Sequence, residues 1–158
     1  IGLERPSWLH ESRMRLTQAQ YLNMESVYCS PDTEPHLRLE WECYEALPGL
    51  SLRVEMKDIH DQKLGTYVFY DICDCEPGHS YTADFSLDIR DFAPAVYHTV
   101  YCFFVRDMQG DFQNTDRVPG LSLICEGRSG EGLLRWDTTQ WGYLELQGGK
   151  LLNLEVRK

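Results

Sequence analysis

The sequence predicts an all-β fold, an antiparallel β-sandwich of jelly-roll or immunoglobulin-like type. Three observations lead there. Apolar residues repeat with period two in several short runs, the mark of half-buried strands. Clusters of Gly, Pro, Asp and Ser separate these runs at short, regular intervals. Past the first twenty residues, no run carries the three-to-four spacing of an amphipathic helix. With 158 residues the chain is long enough for one domain with a full core.

Residues 1–19 are charged and hold Pro6. They read as a linker or a short irregular helix, because Leu9, Met14 and Leu16 make no clean stripe. The sandwich is expected over residues 20–158. "QYLNMESVYC" is the first strand candidate and "SPDTEP" the loop after it. "HLRLEWECYEA" places Leu37, Leu39, Trp41 and Cys43 on one face and Arg38, Glu40, Glu42 and Tyr44 on the other. Pro48 and Gly49 turn the chain. "LSLRVEMKD" then sets Leu50, Leu52, Val54 and Met56 opposite Ser51, Arg53, Glu55 and Lys57. A connection closing at Gly65 leads to "TYVFYDI". "YTADFSLDI" aligns Tyr81, Ala83, Phe85, Leu87 and Ile89. A turn at Pro94 opens the strand "AVYHTVYCFFVR", which is apolar on both faces. "DMQGDFQNTD" reads as a polar turn around Gly110, "VPGLSLICEG" as a strand, and residues 128–132 as a flexible loop. "LLRWDTTQWGYLELQ" holds one or two short strands, and "KLLNLEVRK" closes the chain as a last one.

The net charge is -10, from 25 acidic and 15 basic residues. Arg13, Arg15, Arg53 and Arg106 lie scattered among acids. A phosphate backbone meets a repulsive field, so no nucleic-acid partner is expected, and an anionic membrane surface is disfavoured likewise. No stretch is apolar and long enough to span a bilayer. The six cysteines fall mostly inside apolar strand patterns, where Cys acts as a small buried hydrophobe. They are expected to be reduced, in a cytoplasmic protein.

Catalytic signatures are missing. There is no phosphate-binding Walker loop, no G-x-S-x-G elbow and no H-E-x-x-H. The five histidines are dispersed, and the C-x-C at Cys73 and Cys75 has no second pair at a zinc-like distance. Neither a cofactor nor a metal is expected. A pair of glycosidase carboxylates would need two acids in one cleft, and the acids here alternate outward like solvated strand faces.

The order of segments resembles the C-terminal domain of Wzt-type ABC-exporter ATPases. The resemblance rests on the turn-and-strand series from Asp58 to Val68, the spacing into "FSLDI", the turn from Phe92 to Tyr97, and the "RDMQGD" hairpin after it. It spans roughly residues 20–147. Ala95 stands where the family usually has Gly. The resemblance implies a β-sandwich that recognises an O-polysaccharide before export, without catalysis, on the cytoplasmic side of the inner membrane. It also implies an ATPase domain and a membrane subunit as partners. That ATPase domain is not within these residues, so the chain is expected to be an excised domain or a stand-alone relative. Homodimers are implied too, with "KLLNLEVRK" as a strand that could be exchanged.

Sugars offer flat C–H patches ringed by hydroxyls, so a site needs outward aromatic rings beside polar groups. The resemblance points Tyr97 into the core. Alternation then sends Thr99, Tyr101, Phe103 and Val105 inward and His98, Val100, Cys102, Phe104 and Arg106 outward. The expected ligand-binding residues are His98, Phe104 and Arg106 on this strand, with Tyr70, Trp136, Trp141 and Tyr143 as neighbours. The surplus apolar face belongs either to a sugar or to a second subunit. The alternative function is a structural or dimerisation sandwich that mediates protein–protein interaction.

Overall fold

Alternation decides which side of each strand is buried, and the computed structural model, which describes residues 13–127 and 132–156, follows it closely. Among the described residues there are nine strands: β1 (Met14–Tyr21), β2 (Tyr28–Cys29), β3 (His36–Cys43), β4 (Leu47–Lys57), β5 (Lys63–Cys75), β6 (Ser80–Ser86), β7 (Ala95–Arg106), β8 (Phe112–Pro119) and β9 (Leu123–Cys125). One helical turn, α1 (Thr138–Trp141), follows them. Two sheets form. A three-stranded sheet runs β1-β3-β6, and a six-stranded sheet runs β2-β9-β7-β4-β5 with β8 also paired to β7. All pairings are antiparallel except β2 with β9.

The apolar faces of the sheets meet in one core. Leu37, Leu39, Trp41 and Cys43 from β3 face Leu50, Leu52, Val54 and Met56 from β4, all buried. Trp41 stacks on Tyr81 (centroids 5.7 Å) and lies against Phe103 (5.1 Å). From β7, Tyr97, Thr99, Tyr101 and Phe103 point inward, as alternation requires. Tyr97 anchors the turn before it: its buried hydroxyl donates to the Ala93 carbonyl at 2.6 Å.

Two bulges fasten the sheets along one edge. In β8 the register with β7 slips between Phe103 and Phe104, which turns both Thr115 and Asp116 inward. The Asp116 carboxylate accepts from the Leu16 backbone N–H of β1, in the opposite sheet, at 2.8 Å. A matching slip in β1 lies between Leu16 and Gln18.

Several expected boundaries move. β1 begins at Met14, inside the segment read as a linker, and pairs with β3 from Met14 to Tyr21 around its bulge; residues 1–12 of that segment lie outside the described residues. The expected strand "VPGLSLICEG" breaks at Gly120, where β8 ends and the chain crosses to β9. A Cβ there would lie 2.6 Å from Tyr101 Cζ and closer still to Thr99 Oγ1, so only Gly fits without repacking. "QNTD" belongs to β8 rather than to the turn. The loop expected at 128–132 falls outside the described residues except for Gly132. "DTTQW" forms α1, capped by Asp137, whose carboxylate accepts from the Thr139 and Gln140 N–H groups. Residues 145–156 form a turn and irregular chain in place of the expected closing strand, and residues 157–158 of that strand lie outside the described residues.

Candidate functional site

The outer face of β7 holds the surplus apolar residues, and its neighbours on the sheet explain how they are covered. Register places Arg53 of β4 and Arg117 of β8 on either side of Cys102. The long stems of both arginines can lean over the small thiol. Arg53 Nη2 lies 3.1 Å from Cys102 Sγ, and Cys102 is fully buried. Burial pushes the Cys102 thiol up against the pull of Arg53, so it stays protonated at neutral pH. One step along the strand, Phe104 is only 4% exposed. It meets Tyr70 of β5 edge-on at 6.5 Å and Phe112 of β8 at 6.2 Å. The Arg53 guanidinium lies 4.9 Å from the centroids of both Phe104 and Phe112, a cation–π contact with each ring.

These side chains surround an open groove of about 510 Å³, lined by Arg53, Val68, Tyr70, Phe104, Arg106, Gly110 and Phe112. Tyr70 and Phe112 stay 62% and 60% exposed, large values for aromatic rings. Arg106 lies over the Tyr70 ring at 4.6 Å and donates from Nη2 to the Asp71 carboxylate at 2.8 Å. Asp71 has φ 51°, a left-handed backbone, and its N–H is held by Ser51 Oγ at 3.0 Å. Beneath, Arg53 donates to Asn114 Oδ1 (3.2 Å) and Glu55 (3.4 Å), and Arg117 donates to both Glu55 oxygens (3.1 and 3.2 Å). Glu55 thus balances one of the two inner cations.

The residues expected to bind a ligand divide between two ends of the sheet. Tyr70, Phe104 and Arg106 come together in the groove. His98 shares their face but lies six residues from Phe104, about 20 Å along the strand, where Nδ1 faces Ser122 Oγ at 3.3 Å. Trp136, Trp141 and Tyr143 gather beyond the start of β7. Trp136 and Trp141 meet edge-on at 5.5 Å, and the Trp136 indole N–H donates to the Gly142 carbonyl at 2.8 Å. Tyr143 packs on the core, edge-on to Tyr97 at 6.0 Å. Trp136 also lines a second depression of about 360 Å³ with Pro94, Leu133, Leu134 and Glu145.

Sequence reasoning missed Arg53 and Phe112. Arg53 carried a usable signal, since it stands on the polar side of an alternating strand. Phe112 carried none, because it sits next to a turn and its direction follows from pairing with Arg106.

Among the described residues, no group of His, Cys, Asp and Glu is arranged to hold a metal ion, and no helix is long and apolar enough to cross a membrane. All six cysteines are free thiols. No family model matches the chain, and no curated protein matches its sequence. In three dimensions the chain aligns with a solved structure described as "Crystal structure of the C-terminal domain of wzt". The TM-score is 0.72 over 96% of this chain and 89% of that one, with 12% of residues identical. At that identity the likeness is one of architecture, and the chain shares the β-sandwich fold of the Wzt C-terminal domain.

Proposed function

We propose that this sandwich is a non-catalytic carbohydrate-binding domain that holds a polysaccharide, of O-antigen type, for ABC-transporter export. One observation carries the reading. Tyr70 and Phe112 stay more than half exposed around a groove whose remaining lining is Arg53, Val68, Phe104, Arg106 and Gly110, on a fold shared with the Wzt C-terminal domain. A solvated strand face would not keep two rings open to water beside two arginines. A pyranose supplies what that face lacks, C–H patches for the rings and hydroxyls for the guanidinium N–H groups. The lining contains no Asp or Glu, whereas glycoside hydrolysis needs two carboxyl groups across the bond. In this reading Tyr70, Phe104 and Arg106 bind, Arg53 and Phe112 join them, and His98, Trp136, Trp141 and Tyr143 lie outside the groove.

The setting belongs to the same reading: the cytoplasmic face of an exporter, with an ATPase domain and a membrane subunit as partners. A second copy of the chain is a further partner. Leu146, Leu151, Leu152, Leu154 and Val156 stand 69–91% exposed on a tail without regular structure. Such a tail gains a partner sheet by pairing with another copy, which also keeps the dimerisation reading in play. The test is calorimetric titration of the folded domain with the polysaccharide of the strain that makes it. Saturable binding supports the proposal, and a folded protein that ignores its own polymer sinks it.

A further inference from the structure

The groove has a charge of its own. The chain is strongly acidic, at -10, yet the groove is lined by two arginines and no acid. The two cations are not equivalent. Arg53 is committed, clamped between Phe104 and Phe112 and hydrogen-bonded to Asn114 and Glu55. It forms a fixed positive floor. Arg106 lies at the rim, stacked on Tyr70, with one charged partner, the Asp71 carboxylate. Asp71 is 61% exposed on its side chain and Arg106 31%. An ion pair so open to water is worth little, so an incoming anion displaces it at small cost. The left-handed bulge that carries Asp71 is held by Ser51, so the carboxylate can swing away without moving the strand.

We propose that the groove takes a sugar bearing an anionic substituent, a carboxylate or a phosphate, which Arg106 binds in place of Asp71 while Tyr70 and Phe112 contact the sugar ring. This rests on the carbohydrate-binding reading and narrows its ligand class. A guanidinium stacked on an aromatic ring keeps its in-plane N–H edge free, the geometry that suits a carboxylate or phosphate oxygen pair.

The experiment titrates the whole chain with matched oligosaccharides. One arm uses an oligogalacturonate and its carboxyl-reduced counterpart. The other uses an oligomannoside bearing a terminal phosphate and the same oligomannoside after dephosphorylation. The acidic member of at least one pair should bind about tenfold tighter than its neutral partner, the weight of one charge-assisted contact. The arm that shows the gap identifies the anion. Arg106→Gln should close the gap, because it weakens the acidic partner more than the neutral one. Asp71→Asn, which suits a left-handed backbone, should widen it and is read independently if the arginine variant folds poorly. Equal affinity within both pairs overturns the anionic assignment and leaves the carbohydrate reading standing. Absence of binding to all four probes by a folded protein counts against both.

Discussion

The sandwich has two outer faces, built by the same alternation and put to different use. On the three-stranded sheet the outward residues of β3 are His36, Arg38, Glu40 and Glu42, facing Asp84 and Thr82 of β6 across the ladder. Their charges pair locally: Arg38 grips Asp84 with two bonds (2.7 and 2.9 Å) and His36 adds a third contact at 3.0 Å. That face is finished, and water suits it. On the six-stranded sheet one outward row is Val68, Arg53, Cys102 and Arg117; beyond it Phe104 pairs with Asn114 and Arg106 with Phe112, and Tyr70 of β5 meets the Phe104 ring. Here arginines lie over a thiol and three rings, and two of those rings, Tyr70 and Phe112, stay more than half exposed. A period of two tells which residues point out. Only the cross-strand rows tell whether an outward face is solvated or waiting for something.

The largest effect that separates the faces is stability. Phe104→Ala should cost about 3 kcal/mol by urea unfolding, because the ring is buried although it points away from the core. Glu40→Ala, outward on the other sheet, should stay within about 0.5 kcal/mol. Equal costs would abolish the contrast between the faces. Next comes the clamp that holds the sheets back to back. Asp116→Ala leaves the Leu16 N–H without its carboxylate acceptor and should cost about 2 kcal/mol. A cost near zero would show that the bulges, and not this bond, set the edge.

A smaller effect concerns binding alone. Tyr70→Ala should lower polysaccharide affinity about tenfold, roughly 1.4 kcal/mol, with little change in the unfolding midpoint. The smallest effect belongs to the charged face. The Arg38 guanidinium, with help from His36, holds Asp84 down to about 2. A carboxyl whose folded pKa lies below its unfolded value stabilises the fold fully above about pH 4. That contribution fades as pH falls toward 2. Asp84→Asn should therefore flatten stability between those limits, and a pH series of unfolding curves would reveal it. An unchanged slope would mean that the ion pair contributes nothing there.

The parity of β7 came from the family resemblance, which points Tyr97 into the core, and from unbroken alternation after it, since β7 pairs with β4 from His98 to Phe104 without a shift. That one register placed Phe104 and Arg106 outward and Tyr97 inward, as the structure has them. β1 was not legible. Its bulge after Leu16 breaks period two, so Met14, Leu16 and Ala19 look irregular until β3 is paired beside them. The groove was legible only in part. Tyr70, Phe104 and Arg106 share it, but Arg53 and Phe112 enter through pairings between strands far apart in the chain. Trp136 and Trp141 drew attention as rare, large rings, yet they close a local turn on each other and on Gly142, a contact that periodicity does not encode.

One measurement tests the central claim most directly: a two-dimensional NMR titration of the domain with the polysaccharide of its producing strain. The backbone signals of Val68 to Asp71 and Val105 to Phe112 should shift, while the indole signals of Trp136 and Trp141 stay still. Shifts centred on the two indoles, with the groove silent, would contradict the account.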